Sequence, residues 1–335
     1  MKSQIILWNL ILILGISSCT EQPQSVEQQN EILPSWNDGT SKQEIIDFVT
    51  RVTDKNSVDY IDPAQRIATF DNDGTLWAEQ PVYFQLFFAI DRIKAMANEH
   101  PEWDTLMPYS AVLQNDMSKL LSTGEKGLIQ LILTSHSNLT TKEFEEIVKQ
   151  WAASAEHPQL HRKYSDLVYQ PMLELLRYLQ NNEFKTYIVS GGGVDFMRPI
   201  VSDIYNIPPE QIIGTTLKSA YSYNIGNPQI MKLPEVHFVD DKAGKPENIQ
   251  RIIGRRPVIS VGNSDGDLAM LQWASGQETF LNVYVHHTDG EREWAYDRNS
   301  HIGKLDKGLD QAEAEKWTVI DMKNDWKVIY PFELK

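Results

Sequence analysis

Cysteine is all but missing: Cys19 is the only one in 335 residues. No intramolecular disulfide can form, so the fold has to stand on its core. Basic residues are short as well, 31 Lys and Arg against 46 Asp and Glu, for a formal net charge of −15. That balance disfavours nucleic acid or an anionic membrane surface as a partner, and any anion-handling site must bring local positive charge or a metal. Long apolar runs are absent too. The most apolar stretch, residues 5–16, is too short to span a bilayer comfortably. No internal repeat and no low-complexity tract is present. What remains, 41% hydrophobic and 23% charged, is ordinary for a globular protein with one large core or a core plus a smaller domain.

The amino terminus reads as an export leader rather than as part of the fold. Lys2 precedes the apolar run, which ends in Ile16-Ser17-Ser18-Cys19. This resembles the lipobox of bacterial lipoproteins, which implies a signal peptide over 1–18, lipidation of Cys19, and anchoring to the bacterial cell envelope, in the periplasm or at the outer membrane. Residues 19–40 are polar and read as a flexible tether.

Further on, Ser41-Lys42-Gln43-Glu44 has the form of a capping box ahead of a helix with Ile45, Phe48, Val49 and Val52 on one face. Asp62-Pro63 turns the chain into a β-type run, Arg66-Ile67-Ala68-Thr69-Phe70, which ends at Asp71-Asn72-Asp73-Gly74-Thr75. About a hundred mostly helical residues follow, with helices expected over 82–99, 105–121, 126–135 and from a cap at Thr140 to 154. Pro171 then sits like a first helical residue, and strands are expected at 184–190, 211–217, 256–261 and, last in the core, 280–286. Residues 219–239, with Gly226-Asn227-Pro228 in the middle, suggest a separate small hairpin. Repeated strand–loop–helix units imply an α/β fold with a doubly wound, mostly parallel sheet.

The chemistry-bearing residues fall at the ends of these elements. Asp71 and Asp73, two acids on one strand tip, repel unless a cation or a shared proton compensates; together they suit a nucleophile and a general acid/base. Ser190, followed by Gly191, Gly192 and Gly193, offers a hydroxyl and bare backbone N–H groups to phosphate oxygens. Lys245 can neutralise phosphate and nucleophile charge. Asn263 and Asp267 bring hard oxygen ligands of the kind Mg²⁺ accepts.

This set resembles the haloacid dehalogenase superfamily of phosphohydrolases, closest to its phosphoserine-phosphatase-like branch. The likeness runs from about residue 60 to 275 and rests on Asp71-Asn72-Asp73-Gly74-Thr75, Tyr187-Ile188-Val189-Ser190-Gly191-Gly192, Lys245, and Val261-Gly262-Asn263-Ser264-Asp265-Gly266-Asp267. The resemblance implies a Rossmann-like core over 41–75 and 169–335 with an inserted helical cap over 76–168. It implies a Mg²⁺-dependent hydrolase of small phosphomonoesters in which Asp71 attacks phosphorus to form an aspartyl-phosphate. Asp73 would protonate the leaving alcohol and then activate water. Ser190, Gly191 and Lys245 would grip the phosphoryl group, and Asp71, Asp73, Asn263 and Asp267 would surround the metal. Family dehalogenases lack the second aspartate, because a halide leaving group needs no proton.

Three departures stand out. Asn263 occupies a position where the family usually has Asp, so the metal site has one negative charge fewer, and either weaker Mg²⁺ binding or a compensating role for Asp265 or Asp267 is expected. Lys242 competes with Lys245, although the Pro246-Glu247 helix start favours Lys245. Glu79 lies near the place of the carboxylate that binds a substrate amine but out of register, so serine specificity is unsupported. The alternatives are a phosphotransferase using the same intermediate and a binding lipoprotein with weak turnover. Trp77, Tyr83 and Phe84 line the substrate pocket or simply pack the cap. His286 and His287, adjacent on a strand, face opposite ways and are expected to be structural, as are Trp294, Trp317 and Trp326.

Overall fold

The computed structural model describes residues 31–224 and 226–334; Cys19 and the 5–16 run lie outside them. Among the described residues no helix is long and apolar enough to cross a membrane. The chain begins its regular structure with α1 (Thr40–Thr53), which turns Ile45, Phe48, Val49 and Val52 inward at helical spacing. The expected capping box does not form, because Gly39 is the N-cap. Ser41 Oγ instead donates to Asp325 Oδ2 at 2.7 Å, and Glu44 Oε2 accepts from Thr318 Oγ1 at 2.7 Å. Both side chains are claimed by the far end of the chain, which outcompetes the local cap.

Strand β1 (Ile67–Phe70) is buried along its whole length, as a central parallel strand must be. The helical block follows: α2 (Phe84–Met96), α3 (Tyr109–Leu113), α4 (Met117–Ser122), α5 (Gly124–His136) and α6 (Thr141–Ser154). The helix expected over 105–121 is broken in two at Asn115, whose φ of 57° is left-handed, and Asp116 recaps the chain by accepting from Lys119 N. At α6 the capping box is present: Thr140 N donates to Glu143 Oε2 and Glu143 N to Thr140 Oγ1. Leu86, Ile93, Trp103, Val112, Leu120 and Leu131 give this block a hydrophobic cluster of its own.

Beyond it lie α7 (Gln170–Asn181), β2 (Lys185–Gly193), α8 (Val194–Tyr205), β3 (Ile212–Asn224), β4 (Asn227–Phe238), α9 (Gly244–Ile252), β5 (Ile259–Gly262) and α10 (Leu268–Ala274). The last part contains β6 (Leu281–Thr288), β7 (Ala295–Tyr296), α11 (Lys307–Glu315), β8 (Thr318–Asp321) and α12 (Met322–Asp325). The sheet order is β4-β3-β2-β1-β5-β6-β7, with β8 also on β6. Pairings from β3 through β2, β1 and β5 to β6 are parallel, as is β6 with β8; β3–β4 and β6–β7 are antiparallel. This is the expected doubly wound α/β sheet.

Two expectations change. The strand at 211–217 and the hairpin at 219–239 share one long strand, because β3 pairs with β2 at its start and with β4 along its outer length. The strand at 280–286 is not the last, since the apolar run 317–321 supplies β8. Residues 33–335, helical block included, form one compact unit.

Candidate active site

Register places the motif residues together. Phe70 of β1 pairs with Ile188 of β2 and Val261 of β5, so Asp71, Ser190 and Asn263 leave three adjacent parallel strands at the same edge. The chain runs outward from β1 through β2 and β3, then returns to β1's other side as β5. Carboxyl ends at such a reversal are where open α/β sheets bind ligands.

A tight turn aims the two aspartates. The Asn72 carbonyl accepts from the N–H groups of Thr75, Leu76 and Trp77 at 2.9–3.2 Å. Asn72's side chain points away, and its Oδ1 accepts from Tyr205 OH at 3.1 Å. Gly74 makes the turn at φ 73°, and a Cβ there would stand 2.1 Å from Asn263 Nδ2. Residue type is therefore forced by both backbone and space.

Lys245, at the start of α9, enters the site fully buried. Its Nζ donates to Asp71 Oδ1 at 2.5 Å, Asp267 Oδ1 at 2.6 Å and Val189 O at 2.7 Å. Burial disfavours the ammonium, but Asp267 and Asp71 outweigh it and hold its pKa above the ordinary lysine value. Lys242 is exposed and points at Asp241, outside this cluster. Asp267 Oδ2 accepts from Asn263 N, Ser264 N and Ser264 Oγ. With Lys245 on its other oxygen, Asp267 braces the loop. Asp265 faces elsewhere, accepting from the backbone of Asp306 and Gly308.

The two motif aspartates sit in unlike surroundings. Burial and the neighbouring Asp267 carboxylate push Asp71 well above the ordinary range, against the pull of Lys245. Asp73 is pushed up to about 6 by burial, opposed by the Trp77 indole N–H, which donates to Asp73 Oδ1 at 2.8 Å. Ser190 Oγ stands 3.5 Å from Asp73 Oδ2 and accepts from Gly192 N at 3.1 Å. Gly191 and Gly192 form a bulge, since Ser190 and Gly193 pair with consecutive residues of β3. Trp77 is fixed by the Phe84 ring, at 5.0 Å between centroids. Trp77 and Phe84 belong to the core, whereas Tyr83 keeps part of its ring at the surface.

Asn263 has a partner that explains its identity. Its Nδ2 donates to Glu79 Oε1 at 2.7 Å, while its Oδ1 accepts from Thr75 Oγ1 at 3.1 Å. An aspartate there would set two carboxylates against each other. Glu79 also accepts from Tyr296 OH at 2.8 Å, and burial drives its carboxyl well above the ordinary value. Gly303 closes over it, with space for no side chain: a Cβ would lie 1.9 Å from Glu79 Oε1. The carboxyl that Asn263 lacks thus stands directly against its amide, as Glu79.

His287 bridges Gly74 O (2.7 Å) and Glu293 Oε2 (3.1 Å), and stacks on Tyr296 at 4.3 Å. His286 turns the other way, 3.4 Å from Asp297 Oδ2. Trp326 is buried in the main core and Trp317 in the cluster around β6, with Trp294 packed at the edge. Sequence reasoning missed the donor from Trp77 and the tail residues Tyr296 and Gly303. No local pattern marks them; only their exclusion from any strand-end motif sets them apart.

A family profile for haloacid dehalogenase-like hydrolases matches residues 68–272. The chain belongs to this family. A search among curated proteins finds no match. Among solved structures, the chain is similar to a protein of unknown function from Bordetella pertussis Tohama I, at 12% identity and TM-score 0.47, over 77% of this chain and 99% of that one. It is also similar to a functionally unknown protein from Anaerococcus prevotii DSM 20548, at 16% identity and TM-score 0.49, over 84% and 91%. A probable phosphoserine phosphatase from Vibrio cholerae is similar at 16% identity and TM-score 0.36, over 76% and 68%. The family match ends before β6, so Tyr296, Gly303 and His287 lie beyond it.

The oxygen-rich site suits a hard cation. The ammonium of Lys245 bonds Asp71 and Asp267, and Asp73 and Glu79 stand near Asp71, so acid exceeds base in a dry interior. Among the described residues no three His, Cys, Asp or Glu side chains form a metal cage. Mg²⁺ does not require one, because it takes one or two carboxylates and keeps several waters.

Proposed function

We propose that this hydrolase acts on phosphomonoesters of small molecules through a covalent intermediate on Asp71. The observation that carries the reading is the pairing of Asp71, held by Lys245, with Asp73, whose pKa is pushed up to about 6 beside Ser190. Two carboxyl groups with different environments can take different roles. Asp71 attacks phosphorus and Asp73 gives its proton to the leaving alcohol. Asp73, now ionised, then takes a proton from the water that opens the acyl phosphate. Lys245 and the Ser190 hydroxyl, with the amides of the glycine bulge, hold the phosphoryl oxygens.

The Asp71 carboxylate, the Asp73 backbone carbonyl and the Asn263 amide oxygen would hold Mg²⁺. Asp267, already bonded on both oxygens, serves as their brace. Bound there, Mg²⁺ supplies positive charge that favours ionised Asp71 and offsets the phosphoryl oxygens. The block over 76–168 serves as the cap. The leader reading adds lipidation of Cys19 and a place in the cell envelope, and Cys19→Ala should release the protein from the membrane fraction.

The test is direct. With an aryl phosphate, Mg²⁺ should support phosphate release, EDTA should abolish it and added Mg²⁺ restore it. Asp71→Asn should fold with an unchanged circular dichroism spectrum and show no turnover. Retained turnover in that variant would sink the assignment.

A further inference from the structure

Beside the phosphate-handling residues lies a cavity of about 450 Å³, a usual size for a small-molecule site. Gly191 and Gly193 of the Ser190 bulge form its floor. Its walls are Leu128, Ile132 and Leu133 from α5, and Leu217, Val236 and Val239 from the β3–β4 hairpin and the residue just beyond it. Gly192, between the two floor glycines, reaches toward the motif residues: a methyl placed on it would stand 3.3 Å from Ser190 Oγ and 3.5 Å from Asp73 Oδ2. A larger cavity, about 640 Å³ beside Arg92 and Trp103, touches none of the motif residues.

The buried polar side chains in the wall already have partners within the protein. Lys232 pairs with Asp195 and lies over the Phe144 ring at 4.7 Å. Gln85 Oε1 accepts from Gly193 N at 2.8 Å, and its Nε2 donates to His136 Nε2 at 2.9 Å. The other His136 nitrogen meets Ser135 Oγ at 2.7 Å; burial and nearby Lys232 push this imidazole down to about 3, so it is neutral. Thr215 Oγ1 donates to Gly191 O at 2.7 Å. Glu125 is exposed. Against the Leu128, Ile132, Leu133, Leu217 and Val236 wall, ligand hydroxyls, an ammonium or a carboxylate would leave water without a new partner, whereas methylene groups gain from leaving it.

We propose that this cavity receives the alcohol portion of the substrate and selects an apolar one: monophosphates of aliphatic or isoprenoid alcohols, in preference to those of amino acids, sugars or nucleosides. The proposal rests on the phosphomonoesterase reading of Asp71 and Asp73, and goes beyond it in naming the substrate class.

The test is a series of primary alkyl phosphates, from ethyl to decyl, with Mg²⁺ and below micelle-forming concentrations, beside phosphoserine and a hexose phosphate. Specificity, kcat/KM, should climb by up to about fourfold per methylene until the cavity is full. Phosphoserine and the hexose phosphate should fall below butyl phosphate. Leu128→Asn, which sets an unpaired amide in the wall, should lower the octyl-to-ethyl ratio by about tenfold. In parallel, calorimetry of alkyl phosphonates with the Asp71→Asn variant reads binding without turnover, and affinity should rise with chain length. If aryl and ethyl phosphates are hydrolysed but neither specificity nor affinity responds to chain length, the cavity assignment is overturned and the phosphatase stands. If phosphonates bind by chain length and Leu128→Asn weakens them while no ester is cleaved, the hydrolase reading fails and the cavity assignment stands.

Discussion

Replacing Lys245 with methionine tests the electrostatic logic of the whole site. The side chain is 2% exposed and bonds Asp71, Asp267 and the Val189 carbonyl. Methionine keeps most of the volume and removes the charge, leaving two buried carboxylates without their cation. Breaking a buried pair from one side costs about 3–5 kcal/mol. The cost depends on pH, and its sign can be worked out. Between pH 5 and 7 the unfolded carboxylates are ionised, because their ordinary pKa is about 4. In the parent Lys245 draws the Asp71 pKa down; without it, burial and the Asp267 charge hold the Asp71 proton to higher pH, so the folded variant binds up to one proton more than its unfolded chain. Its stability therefore falls as pH rises, by up to about 1.4 kcal/mol per pH unit. In the parent protein Lys245, with its raised pKa, stays charged over this range. Lys245 also lowers the Asp73 pKa, so in the variant Asp73 shifts in the same direction as Asp71. Urea unfolding in EDTA should show a deficit of about 3–5 kcal/mol at pH 7 that shrinks toward pH 5, by at most about 1.4 kcal/mol per pH unit. A deficit under about 1 kcal/mol, far below that of a broken buried pair, would refute the reasoning. So would one that does not change with pH.

Three further outcomes are expected. Trp77→Phe removes the N–H that stabilises ionised Asp73, so its pKa should rise above about 6. With an alkyl phosphate, whose leaving group needs the proton, the descending limb of the kcat/KM–pH profile should move up by about one unit; an unmoved limb counts against Asp73 as the acid. Asn263→Asp faces Glu79 Oε1 with a second carboxylate. In EDTA at neutral pH it should cost about 1–3 kcal/mol, largely regained in the double variant with Glu79→Gln, and a simple sum of the two single effects would show that the residues are not coupled. Gly303→Ala, at φ 64° and with its methyl 1.9 Å from Glu79 Oε1, should destabilise by about 1–3 kcal/mol in thermal melts, and an unchanged melting temperature would contradict the tight closure of the tail over Glu79.

The strand ends were readable in the amino-acid order because the signals there are local. A buried β-type run ending in Asp71-Asn72-Asp73-Gly74-Thr75 needs nothing distant to declare a strand and a turn, and the same holds for Ser190 with its glycines and for the Asn263–Asp267 loop. Parallel pairing then brings those ends together automatically, since strands of one sheet that run alike finish at one edge. Helices in the 76–168 block followed from their period, and the Thr140 capping box from its spacing. Where local signals met a distant competitor they failed. Ser41 and Glu44 carry a cap pattern, yet their side chains bond Asp325 and Thr318 more than 270 residues away.

Tertiary structure alone decided the rest. It buried Lys245 rather than Lys242, because the start of α9 faces the sheet edge while Lys242 sits in an exposed left-handed turn. It made sense of Asn263 by placing Glu79, 184 positions away, against its amide. It drew Tyr296, Gly303 and His287 from the tail onto the first motif, and it joined α5 to the β3–β4 hairpin as the walls of one cavity. Such contacts depend on register and loop path, which no window of neighbouring residues contains. Sequence determined which groups are available for chemistry; packing determined which of them share a dielectric, a proton or a wall.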